Sequence, residues 1–207
     1  MSRKNIQFSP PDISEAEINE VCDALRSGWI TTGPRTKELE KRLADFCHTD
    51  KVVCLSSATA AEELNLRILG IGEEDEVIVP AYTYTATAAA VIHCGAKVVF
   101  IDSQKDSTEM DYDAMEKAIN GKTKAIIAVD LAGIVADYDR IYEAVERKKN
   151  LFTPKTEIQK SLGRVAVLAD GAHSLGANRN GKMAGEIADF TSVSYTHLRA
   201  HETLMNL

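Results

Sequence analysis

Val165-Ala-Val-Leu-Ala-Asp170-Gly-Ala-His173-Ser174 is apolar for five residues and then turns polar, leaving a carboxylate and an imidazole just where the apolar run stops. Nothing in the run alternates with polar side chains. It therefore reads as a strand buried on both faces, the kind found in parallel sheets covered by helices. Ala125-Ile-Ile-Ala-Val129 has the same character. Outward from these two, strand-like runs at Val52–Leu55, Glu76–Val79, Lys97–Ile101, Lys124–Val129, Arg164–Ala169 and Phe190–Ser194 alternate with helical patterns. The helical patterns are Thr59–Leu69, Thr85–Cys94, Tyr112–Asn120 and Asp137–Lys148. This alternation predicts an α/β fold, a mostly parallel sheet with helices on both faces.

Before the first strand, Ser14-x-x-Glu17 is a capping box that starts a helix running to Ser27 and stopping at Gly28. The turn-rich Trp29-Ile-Thr-Thr-Gly-Pro34 leads to a second helix over Lys37–Phe46. Asn150–Leu162 is polar, contains proline and exceeds a usual connection, so it reads as an exposed excursion. The chain has no internal repeat and no low-complexity tract.

With 207 residues, 44% of them hydrophobic and 27% charged, the chain can bury the core of one domain or most of one. A net charge of -7 with interspersed signs argues against a nucleic-acid footprint, which needs clustered Lys and Arg. No apolar run is long enough to span a membrane and the N-terminus lacks a signal core, so the expectation is a cytoplasmic protein. Cys22, Cys47, Cys54 and Cys94 have neither metal-ligand nor secreted-scaffold spacing and read as reduced, mostly buried thiols. No metal site is expected.

Three places carry chemistry. Cys54-Leu-Ser-Ser57-Ala58-Thr59-Ala60 runs small and hydroxyl residues into a helix start, where unpaired amides and the helix dipole favour an anion. Alone, it reads as a plain helix N-cap by Ser57 before it reads as an anion seat, because capping is the common use of Ser and Thr. Val79-Pro-Ala-Tyr82-Thr-Tyr84 puts two aromatics at a strand end, where a planar ring could stack or where both could pack against helices. Asp170 and His173 follow a buried strand. The carboxylate needs a cationic or hydrogen-bonding partner, such as a protonated pyridine nitrogen, or else caps its own turn.

The order of these features resembles the DegT/DnrJ/EryC1/StrS family of pyridoxal phosphate (PLP)-dependent sugar aminotransferases. The resemblance runs from Ile6 to about Tyr195 and covers about half of a family member. It is carried by Ser27-Gly-Trp-Ile-Thr-Thr-Gly-Pro34, Ser56-Ser-Ala-Thr-Ala60, Asp75 through Thr87, Gly95-Ala-Lys-Val-Val-Phe-Ile-Asp102 and Asp170-Gly-Ala-His-Ser-Leu-Gly-Ala177. It implies an incomplete large domain of the fold-type I PLP-dependent transferases. Ala58, Thr59 and Ser194 would hold the cofactor phosphate, Tyr84 would stack on the ring, Asp170 would pair with the ring nitrogen, and His173 would face the ring hydroxyl. Trp29 and Thr31 would lie near substrate. The implied reaction moves an amino group, with glutamate as donor, to a keto group of a nucleotide-linked sugar, in a homodimer. By this reading residues 1–50 are a helical segment, 51–195 the cofactor-binding domain and 196–207 a non-native tail.

One departure qualifies that reading. The family continues the Ser194 strand with Phe-His-x-x-Lys, whose lysine is the Schiff-base residue, whereas this chain has Tyr195-Thr-His-Leu-Arg199. Arginine stays protonated and cannot supply the free amine. Because lysine, histidine and the second half of the protein vanish together, foreign sequence from about Tyr195 is favoured over a natural loss. The chain as given is expected to be inactive, with a lysine-independent sugar dehydratase using His197, or a non-catalytic binding or regulatory protein of the same fold, as alternatives.

Overall fold

A computed structural model of the chain describes residues 13–194. Tyr195, His197, Arg199 and the rest of the expected tail lie outside the described residues. Among the described residues, five parallel strands form the sheet: β1 (Glu76–Pro80), β2 (Lys97–Ile101), β3 (Thr123–Val129), β4 (Ala166–Asp170) and β7 (Phe190–Ser192), in the order β2-β1-β3-β4-β7. The register sets Val129 opposite Asp170 and Asp170 opposite Ser192, so these strands end along one edge. A small hairpin, β5 (Asn178–Arg179) and β6 (Lys182–Met183), lies between β4 and β7 in sequence.

Strand side chains point alternately to opposite faces, and each face has its own core. Ile78, Ile126, Val167 and Ala169 pack with Met115 of α5 (Tyr112–Ala118) and with Ile141 and Val145 of α6 (Tyr138–Arg147). Val77, Val79, Ala125, Ile127 and Leu168 pack with Leu66 of α3 (Ala58–Ile68) and with Ala90 and Val91 of α4 (Thr85–His93). Burial on both faces explains why the strands carry no polar alternation.

The expected capping box is present on α1 (Glu15–Arg26): Ser14 accepts from the backbone while the Glu17 carboxylate accepts from Ser14 N–H. The second helix, α2 (Pro34–Phe46), begins three residues earlier than the sequence reading, with Pro34 at a first-turn position that suits its fixed φ. Gly33 just before it lies against the exposed Trp29 indole, so that a Cβ there would displace the ring, whose Nε1 it would meet at 2.0 Å.

Two expectations are corrected. Val52–Leu55 is not a strand. Its Cys54 N–H donates to Glu40 Oε1, and Val53 and Leu55 are 59% and 43% exposed; an apolar run becomes a strand only when another strand pairs with it. Asn150–Leu162 is not a simple exposed excursion. It contains α7 (Glu157–Leu162), capped by Thr156 and closed by Gly163 in the left-handed conformation. Buried Gln159 donates from Nε2 to the Leu69 carbonyl at 2.8 Å. Lys124 on β3 also donates to the Thr153 carbonyl, and Phe152 and Leu162 pack against the two cores, so polar bonds and apolar contacts together hold the segment. The four cysteines are free; Cys47 is buried and the other three are half-buried. Among the described residues no helix is long and apolar enough to cross a membrane.

Candidate functional site

The carboxyl ends of β1, β3 and β4 open into a cavity of about 580 Å³. β2 lies on one side of β1 and β3 on the other. The helix after β1 covers one face of the sheet and the helix after β3 the opposite face, so the loops diverge and leave a crevice, the usual ligand position in an open α/β sheet. Ala58, Thr59, Tyr84, Asp170, His173 and Ser194 all line it. Trp29 and Thr31 do not: both are exposed in the link between α1 and α2, where the Trp29 indole donates to the Thr32 carbonyl.

At the cavity wall α3 begins. The Ser57 hydroxyl accepts from Ala60 N–H at 3.1 Å, so Ser57 is a cap, as the plain reading of this motif had it. One cap leaves the amides of the first helical residues, Ala58 and Thr59, without an intrahelical acceptor, and they sit at the positive end of the helix dipole. Ser194 brings a hydroxyl to the same cavity from just beyond β7. Capping and an anion seat therefore coexist here.

The opposite chemistry lies deeper. Asp170 is 7% exposed; its Oδ2 accepts from the Thr87 hydroxyl at 2.8 Å and its Oδ1 from Ala172 N–H at 3.2 Å. Gly171 is needed immediately after it, since a Cβ would come within 2.9 Å of Thr191 Cγ2 and 3.0 Å of Ser174 Oγ. Two further acids line the cavity, Asp130 and Glu62. Asp130 accepts from Ala136 N–H, the Tyr138 hydroxyl and the Ser174 hydroxyl. Burial still pushes its carboxyl up to about 6, against those hydrogen bonds. Glu62 is 2% exposed, and burial, then the charge of Asp170 and a hydrogen bond to it, push its carboxyl up to about 10. Among the described residues no Lys or Arg lines the cavity, and no cluster of His, Cys, Asp and Glu there could hold a metal ion.

His173 is oriented by backbone. Its Nδ1 accepts from Ala132 N–H at 3.1 Å, which places the proton of a neutral ring on Nε2. Ala132 achieves this from a left-handed conformation, φ 55°, unusual for a residue with a Cβ. Tyr84 stands at the cavity mouth, 77% exposed. Its ring thus offers a face for a ligand and is not packed away against a helix, the alternative that the sequence left open.

Sequence reasoning missed Thr87, Asp130 and Glu62. Glu62 had a signal, since it shares the buried stripe of α3 with Ala58 and Leu66 at spacings of four. Asp130 ends an apolar strand just as Asp170 does.

A family model for the DegT/DnrJ/EryC1/StrS aminotransferases matches residues 11–201. A UDP-4-amino-4-deoxy-L-arabinose–oxoglutarate aminotransferase of Shewanella sediminis is 39% identical over 90% of this chain and 44% of its own length. The spore coat polysaccharide biosynthesis protein SpsC of Bacillus subtilis is 35% identical over 92% and 45%. Among solved structures, a Streptococcus pneumoniae protein described as a sugar aminotransferase superimposes with a TM-score of 0.92 at 57% identity, covering 94% of this chain and 49% of that one. It has been solved in apo, PMP and PLP forms. The chain spans about half the length of the relatives it matches.

Proposed function

The chain belongs to the DegT/DnrJ/EryC1/StrS aminotransferase family, and from that premise we propose that its cavity is the pyridoxal phosphate site of a nucleotide-sugar aminotransferase. Its fold is part of the large domain of the fold-type I transferases. The observation that carries the reading is Asp170: a buried carboxylate among other acids, in a cavity without a lysine or arginine among its described lining residues and with the exposed ring of Tyr84 in the same lining.

That donor set fits the cofactor. Asp170 would accept a hydrogen bond from the protonated ring nitrogen, which would give the buried carboxylate a cationic partner. The amides of Ala58 and Thr59, with the Ser194 hydroxyl, would hold the phosphate. Tyr84 would cover a ring face, and His173 would donate from Nε2 to the ring hydroxyl oxygen. When bound, the cofactor supplies the electron sink for carbanion chemistry at the substrate carbon. Residues 51–195 would then form the cofactor-binding domain and residues 1–50 the helical segment beside it, with Trp29 and Thr31 near a nucleotide sugar in the homodimer.

Arg199 in place of the family lysine makes this chain non-competent for amino transfer. Its guanidinium keeps its proton and cannot attach to the cofactor. The test has two parts. Pyridoxamine 5′-phosphate should bind saturably, with Asp170→Ala weakening it about tenfold or more; no saturable binding ends the cofactor reading. Borohydride treatment with pyridoxal phosphate should leave no stoichiometric adduct, and one lysine of this chain modified one-to-one would end the claim of non-competence.

A further inference from the structure

Glu62 is unaccounted for by the roles given above. It sits on the core-facing stripe of α3, lines the cavity, and lies within hydrogen-bonding reach of Asp170. Its Oε2 is buried and has no hydrogen-bond partner among the described residues. A carboxylate is acceptor-only, so an ionised Glu62 would strand that oxygen and set two anions side by side in a low dielectric. A carboxylic acid meets both difficulties at once, because its own proton becomes the donor that the site lacks.

We propose that Glu62 is a positioning residue for the ring site, its carboxylic acid donating a hydrogen bond to Asp170 and so fixing the orientation and charge of the carboxylate that meets the ring nitrogen. Asp170 then has three donors, Thr87 from α4, Ala172 from its own turn and Glu62 from α3, which leaves one remaining lone-pair direction for the cavity. From the elements packed around Glu62, the titratable groups facing the cavity are Asp170, Asp130, His173, Tyr82 and Tyr84. The acids among them raise the cost of a second negative charge. Glu63 and its partners Arg67 and His93 form a separate exposed cluster outside that lining. The raised carboxyl of Glu62 keeps it protonated across the neutral range.

The inference rests on the cofactor reading only for its consequence, and the experiment separates the two. The 207-residue chain and its Glu62→Gln and Glu62→Leu variants are compared without ligand by infrared spectroscopy at about pH 8. A protonated carboxylic-acid band present in the parent and absent from Glu62→Gln is expected; no such band overturns the proposal, whether or not the cofactor binds. Each form is then titrated with pyridoxamine 5′-phosphate, following its emission. Glu62→Gln keeps a neutral donor and should match the parent in affinity within about threefold and in emission, while Glu62→Leu should bind about tenfold more weakly with a shifted emission. Glu62→Gln behaving like Glu62→Leu, or Glu62→Leu behaving like the parent, overturns the proposal. Saturable binding by none of the three overturns the cofactor reading, and the infrared band then decides the state of Glu62 alone.

Discussion

The Thr87 hydroxyl donates to Asp170 Oδ2 at 2.8 Å, tying the first turn of α4 to the end of β4 across the sheet edge. Thr87 is fully buried. Its single proton goes to Asp170, so the 2.8 Å contact with Thr83 Oγ1 has Thr83 as donor. The result is a relay from the β1–α4 loop, which carries Tyr84, to the acid. Thr87→Val keeps the volume and removes the donor. It should cost about 1–3 kcal/mol of unfolding free energy, the penalty of an under-paired buried acceptor, in urea denaturation. It should also weaken pyridoxamine 5′-phosphate binding, and a variant as stable as the parent would show that Asp170 does not depend on this donor.

His173 receives the Ala132 N–H on Nδ1, so its neutral tautomer carries the proton on Nε2. Nitrogen-15 chemical shifts should show a pyridine-like Nδ1 and a pyrrole-like Nε2; the reverse pattern would contradict the geometry. Glutamine also offers a donor at comparable reach. His173→Gln should therefore bind pyridoxamine 5′-phosphate within about threefold of the parent, while His173→Ala should lose roughly 1–2 kcal/mol of binding.

The sheet was legible because β1, β3 and β4 are buried on both faces, and such strands leave uninterrupted Val, Ile and Ala runs. The strand-end residues Asp170 and His173 were legible as a change of character at the end of one of those runs. Glu62 was hidden because a glutamate on a helix is by default a solvated residue, and only the Ala58/Leu66 spacing betrays its burial. Val52–Leu55 misled for a different reason, since pairing is a property of two segments and sequence pattern describes only one. Asn150–Leu162 misled because its anchors are side-chain amide and lysine hydrogen bonds and two apolar contacts, Phe152 and Leu162, too far apart to make a periodic pattern.

Asp130 predicts a pH dependence with a definite sign. Its folded carboxyl sits at about 6, against an ordinary value of 3.8, chiefly because of burial. A raised carboxyl binds its proton more tightly folded than unfolded, so its stabilising contribution is complete below about pH 4 and is lost as pH rises through about 6. Relative to Asp130→Asn, which does not titrate, the parent should lose on the order of 2–3 kcal/mol between about pH 4 and pH 7. Denaturant midpoints measured for both forms across that range check it, and a stability difference that is flat or grows with pH would contradict the assignment.

Gln159 tests whether the segment before β4 is part of the folded unit. Its Nε2 donates to the Leu69 carbonyl and its Oε1 accepts from Lys155 N–H, both at 2.8 Å. Thr156 Oγ1 also donates to Leu69 O, so that carbonyl keeps one partner when Gln159 is removed. The Lys155 amide loses its acceptor outright. Gln159→Leu, similar in volume and apolar, should therefore cost about 1–3 kcal/mol, set by the orphaned amide and the reduced bonding at Leu69. The loss should appear locally as well as globally, because the bonds that join this segment to the end of α3 are few. Limited proteolysis should cut Gln159→Leu faster within residues 150–162 while the β3 and β4 amides keep their hydrogen-exchange protection. Equal cleavage rates in parent and variant would mean that Gln159 does not anchor the segment.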